Sequence, residues 1–73
     1  MTQDISTRHI ELNAFLNKIG LAATGGQAKQ IIRSGEMKVN GEAETRNKKK
    51  LHAGDFVEYL GKRYAVDENY LRQ

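Results

Sequence analysis

The stretch Thr24–Glu42, TGGQAKQIIRSGEMKVNGE, changes its apolar period midway, and that change decides the fold. In its first half Thr24 offers a hydroxyl that can accept from a first-turn amide. Gln27 follows three positions later, as in a capping box, and Ala28, Ile31 and Ile32 form one stripe at helical spacing. Gly35 ends that helix. Beyond it Met37 and Val39 alternate with Lys38 and Asn40, which is the period of a strand. Asn40-Gly41 is then a two-residue hairpin turn, because both residue types tolerate positive φ.

Upstream, Leu12, Phe15, Leu16 and Ile19 recur at i, i+3, i+4, i+7 and predict a first helix from Glu11, stopped by Gly20 and joined to the second through Leu21–Ala23. Thr7–Ile10 reads as a short extended segment. Both helices are short and one-sided, so each needs the other, or a sheet, to cover its apolar stripe. Downstream, a returning strand over Glu42–Thr45 leads to a basic loop and to a turn at Ala53-Gly54-Asp55. A strand over Phe56–Leu60, a turn at Gly61-Lys62 and a strand over Arg63–Val66 complete a meander, with Phe56 read as core. Residues 67–73 read as a loosely held tail in which Tyr70 and Leu71 are free to dock. The expected class is α+β: one domain over 1–73, with two short packed helices followed by a small, mostly antiparallel sheet sharing one core.

Composition narrows the function. A chain of 73 residues buries only about 60% of the surface that its unfolded form exposes, which leaves little interior for a catalytic cleft. There is no cysteine, and His9 and His52 stand far apart in sequence without a ligand pattern, so neither a metal nor another cofactor is expected. No serine is paired with a base, Asp55 beside Gly54 reads as a turn residue, and Glu42 and Glu44 read as two solvated side chains of one strand face. No catalytic residue and no small-molecule substrate is expected. The amino terminus carries no apolar signal core and no uncharged stretch spans a bilayer, which points to a cytoplasmic protein without a membrane partner.

Charge is informative through its distribution. The net value is +3, yet Lys18–Lys50 holds eight basic residues and three acidic ones, a local +5. Arg46, Lys48, Lys49 and Lys50 fall within five positions, and Lys29 and Arg33 are an i, i+4 pair beside the apolar stripe of the second helix. Lys38 faces away from Met37 and Val39. If helix, hairpin and loop pack together, these cations share one surface, which is what a line of phosphates requires. The loop on its own is equally a solubilising turn. Gly25 and Gly26 lack side chains that would shield the first-turn amides from a phosphate oxygen, although two glycines also serve simply as a flexible lead into a helix. His52 is either a base contact or an exposed strand-start residue, and Tyr59 and Tyr64 stay open between core and stacking platform.

The order of these motifs (an amphipathic helix, Gly-Leu-Ala, a Thr-Gly-Gly-x-Ala-Lys helix, Val-Asn-Gly, then Gly-Asp before a strand) resembles the ribosomal protein S-four-like RNA-binding domain. More narrowly it is similar to the small stand-alone bacterial members of that family, over about Ile10–Tyr59. The resemblance implies an alpha-L motif that presents a basic face to structured RNA, often ribosomal RNA. Carried onto this chain, the face comprises Gly25, Gly26, Gln27, Lys29 and Arg33 on the second helix and Lys38 and Asn40 on the hairpin, extended by Arg46, Lys48, Lys49 and Lys50. Many members have Ser-Arg where this chain has Thr24-Gly25, so one phosphate contact is missing and Lys29, Arg33 and the loop carry more of the affinity. The competing reading is a ubiquitin-like interaction or sulfur-carrier module, since V-N-G-E and G-D-x-V-E occur there too. That class needs a carboxy-terminal Gly-Gly, and the only Gly-Gly in this sequence is internal.

Overall fold

The computed structural model describes residues 8–71. In chain order the elements are β1 (Ile10–Glu11), α1 (Leu12–Lys18), α2 (Gly25–Arg33), β2 (Lys38–Val39), β3 (Glu42–Ala43), β4 (Lys50–Leu51), β5 (Phe56–Tyr59), β6 (Lys62–Ala65) and a 3-10 turn over Glu68–Leu71. Two helices are followed by a small antiparallel sheet of order β3-β2-β5-β6, and β1 and β4 pair separately in the antiparallel sense.

Each helix ends as its sequence directs. In α1, Leu12, Phe15 and Leu16 are buried. Beyond its last turn Leu21 N donates to Leu16 O at 3.0 Å, closing the helix across Gly20. In α2, Thr24 Oγ1 accepts from Gln27 N at 3.1 Å. Gln27 Oε1 reaches one residue further back than the usual reciprocal partner and accepts from Ala23 N at 2.8 Å. Ala28 and Ile32 are buried, and α1 and α2 pack on each other.

The register assigns the faces of the sheet. Val39 lies opposite Val57, and Val57 opposite Tyr64, so these three point one way and join the helix residues, Met37 and Leu51 in one core. Tyr59 and Tyr64 are half-buried against that core. Lys38 lies opposite Glu58, Glu58 opposite Arg63, and Phe56 opposite Ala65, all on the outer face. Phe56 is therefore outside the core, contrary to its reading from sequence. It is two positions from Glu58 and one from Val57, and alternation puts it with the charge.

Several strand boundaries also move. The returning strand is Glu42–Ala43, shorter than Glu42–Thr45. The second hairpin turns at Leu60-Gly61 (φ 52° and 80°), one residue earlier than expected, so the strands are Phe56–Tyr59 and Lys62–Ala65. Leu60 is 73% exposed in a left-handed conformation that disfavours a branched side chain, so nothing local rewards it. Of the extended segment expected at Thr7–Ile10, Ile10 is in β1 and Thr7 lies outside the described residues. In the stretch 67–73, Leu71 is buried and Tyr70 meets Phe15 edge-on with centroids 5.2 Å apart; residues 72–73 lie outside the described residues.

Candidate nucleic-acid interface

The basic loop is tied down through its backbone. Glu11, at the head of α1, makes no side-chain cap. The amides that a cap would satisfy instead donate to loop carbonyls, Leu12 N to Lys49 O at 2.8 Å and Asn13 N to Asn47 O at 3.0 Å. β4 then pairs Lys50 with Glu11 and Leu51 with Ile10, and Leu51 is fully buried. Carbonyls from the loop thus cap a helix while its cationic side chains remain at the surface. Arg46, Lys48, Lys49 and Lys50 line one open concavity of about 370 Å3.

Arg46 differs from the three lysines. Its Nε and one terminal nitrogen donate to the Glu44 carboxylate at 2.9 and 3.1 Å, and its backbone N donates to the same group at 3.0 Å. Glu44 is half-buried, so the expectation of two solvated glutamates on one strand face holds only for Glu42. The hydrogen bonds from the Arg46 side chain, above all, lower the Glu44 pKa from 4.5 to about 2 against the opposing effect of its burial, with the Arg46 backbone amide and the charges of Arg46 and Lys49 adding to them. Arg46 is pushed up in turn, chiefly by the same contact. Because the folded pKa is the depressed one, the stabilisation is present above about pH 4.5 and is lost as pH falls towards 2. Thermal unfolding should therefore find the parent more stable than Glu44→Gln near neutral pH, with the gap closing across that window. A gap that persists at pH 2 would show that ionisation of Glu44 is not its source.

Asn40, in the turn between β2 and β3, is committed in another way. Asn40 sits at φ 52° in the turn with Gly41 at 87°. Its Oδ1 accepts from Phe56 N at 3.0 Å and its Nδ2 donates to Asp55 Oδ1 at 3.2 Å, while Asp55 Oδ2 accepts from His52 N at 2.8 Å. Val-Asn-Gly and Gly-Asp, distant in sequence, are thereby one latch between β2 and the start of β5. His52 is exposed, with Nδ1 3.8 Å from Asp55 Oδ2 and its ring 6.2 Å from that of His9.

Of the remaining residues, Lys29 and Arg33 are exposed on α2, and Lys38 is exposed on the outer face of the sheet. Gly25 and Gly26 form the exposed first turn of α2, where an added methyl group would meet nothing within 4 Å. Gln27 is spent on the helix cap. The structure thus gathers the four loop cations round one concavity and sets the others on α2 and on the sheet. Sequence reasoning missed Glu44 as the partner of Arg46, although the spacing Glu-x-Arg carried the signal. It also missed Arg63, whose guanidinium carbon lies 4.4 Å above the centroid of the Phe56 ring. Among the described residues no group of three or more His, Cys, Asp or Glu could hold a metal ion, and no helix is long and apolar enough to cross a membrane.

Comparison with known proteins agrees with this architecture. Residues 3–67 match the S4 domain. The chain is 42% identical over 53 residues to a protein of Escherichia coli (strain K12) named "Putative RNA-binding protein YbcJ", covering 73% of this chain and 76% of that one. It is 39% identical over 57 residues to the "Probable ribosome maturation protein RlbA" of Bacillus subtilis (strain 168), covering 78% and 80% respectively.

Proposed function

This chain belongs to the S4 domain family, and we propose that it is a non-catalytic, cytoplasmic protein that binds structured RNA, with ribosomal RNA the first target to test. The names of the two relatives support an RNA partner, one through RNA binding and the other through ribosome maturation. The observation that carries the reading is the concavity lined by Arg46, Lys48, Lys49 and Lys50 on a loop anchored to α1. Like charges held close together by backbone hydrogen bonds are costly unless a polyanion neutralises them, and RNA phosphates do so with release of counterions. In the proposed face, Lys29, Arg33 and Lys38 join the loop, and Gly25 and Gly26 open the first turn of α2 to a phosphate oxygen. Gln27 and Asn40 position this face through their bonds to Ala23 and to Asp55 and Phe56. Arg46 belongs to it with its charge partly offset by Glu44.

The experiment is RNA binding as a function of salt. With about four to six cations on phosphates, log affinity falls against log salt with a slope of roughly −3 to −5. A slope near zero would remove the reading. The glycines allow a sharper separation. Nothing among the described residues requires them, since the added methyl groups have room and glycine costs a helix about 0.5 to 1 kcal/mol relative to alanine. Gly25→Ala and Gly26→Ala should therefore raise the unfolding midpoint while weakening RNA binding roughly tenfold, the loss expected for a hydrogen bond to a charged group. Unchanged affinity in stabilised variants would leave those glycines outside the face.

A further inference from the structure

We propose that the outer face of the four-stranded sheet, at Phe56 and Arg63, stacks an unpaired base of the bound RNA. The inference deepens the RNA-binding reading and rests on it, adding an unpaired nucleotide to what the basic face selects.

The inner face of this sheet is apolar and packed, whereas the outer face carries Lys38, Glu58 and Arg63. Phe56 shares that outer face and is half-buried, so an aromatic ring stands among charges on the side away from the core. Arg63 lies directly opposite Glu58 in the register, which is the placement that favours a cross-strand ion pair. Yet the ion pairs among the described residues are Glu44–Arg46 and His52–Asp55, and the Arg63 guanidinium sits over the Phe56 ring instead, 4.4 Å from its centroid.

A guanidinium over an aromatic ring gains cation–π attraction and still presents a flat outer face together with N–H groups to solvent. That layered pair suits a nucleobase, because every base has a π-face and RNA-binding proteins stack unpaired bases on aromatic rings and on guanidinium planes. The surrounding charges fit a base better than a backbone. Glu58, half-buried between Lys38 and Arg63, repels a phosphate at the centre, while the two exposed cations can hold phosphates on either flank.

The test compares two RNA probes with the same stem, one closed by an unpaired loop and one fully paired, at matched ionic strength. Stacking of one base should make the parent prefer the looped probe by roughly fivefold to a hundredfold. Arg63→Lys keeps the charge and loses the plane. Phe56→Leu keeps apolar bulk and loses the ring. Each should remove most of that preference and leave both the duplex affinity and the salt slope unchanged. In the looped complex the Arg63 guanidinium N–H protons, which would lie directly against the base, should move upfield in NMR spectra. Equal affinity of the parent for the two probes, or full retention of the preference in Arg63→Lys, overturns the stacking platform while RNA binding stands. Failure of both probes to bind with a salt-dependent affinity overturns the RNA reading and this inference with it.

Discussion

Replacing Lys48, Lys49 and Lys50 together by alanine should lower RNA affinity by roughly a hundredfold at about 0.1 M salt and flatten the slope of log affinity against log salt by about 2 to 3. Each lysine accounts for one phosphate and the counterion released there. The way the loop is held isolates that contribution. Its anchors to α1 are the carbonyls of Asn47 and Lys49, and its onward strand is fixed by buried Leu51, so truncating the three side chains leaves those bonds in place. Unfolding of the triple variant should therefore stay close to that of the parent, which separates lost contact from lost fold. The fixed loop also bears on magnitude, because charges already placed lose little further freedom on binding. Calorimetric or fluorescence titrations across salt measure both quantities. Parental affinity in a folded triple variant would move the RNA contact to Lys29, Arg33 and Lys38 and leave the concavity without a role.

How much of this was legible beforehand depended on whether local chemistry or distant pairing set the element. Both helices were readable because Leu12, Phe15 and Leu16, and Ala28 and Ile32, repeat at helical spacing and Thr24 carries its cap in its own side chain. The Asn40-Gly41 turn was readable for the same local reason. β4 was not, since a strand of two residues has no period, and its existence depends on Ile10 and Glu11, some forty positions away in the chain. For the same reason the basic run looked like a free loop, when its carbonyls in fact complete the first turn of α1. The second hairpin misled because Gly61 is the conspicuous turn residue, while Leu60 beside it adopts positive φ against its preference. Phe56 was misplaced although Glu58, two residues on, already marked the outward phase. In the candidate site, the cations were legible as residue types, and the Glu44 carboxylate that engages Arg46 was signalled only by the Glu-x-Arg spacing.

Asn40→Ala should cost about 2 to 3 kcal/mol of stability, a fall in unfolding midpoint of roughly 10 to 20 °C for a chain of this size. Asn40 makes two side-chain bonds across the sheet, accepting from Phe56 N at 3.0 Å and donating to Asp55 at 3.2 Å, each worth about 1 kcal/mol. Alanine would lose both, leave the Phe56 amide to find water, and still have to occupy φ 52°, a left-handed conformation that adds about 1 kcal/mol. Against a total of roughly 4 to 11 kcal/mol for 73 residues, such a loss is large. Asn40→Gly separates the two causes, because glycine adopts the turn freely and lacks only the amide, so it should recover about 1 kcal/mol of the deficit. The comparison also decides how Asn40 serves the RNA face. If its role is to position the face through the latch to Asp55 and Phe56, RNA affinity should fall together with the unfolding midpoint in both variants. If affinity falls while the midpoint holds, Asn40 touches RNA directly and the latch is secondary.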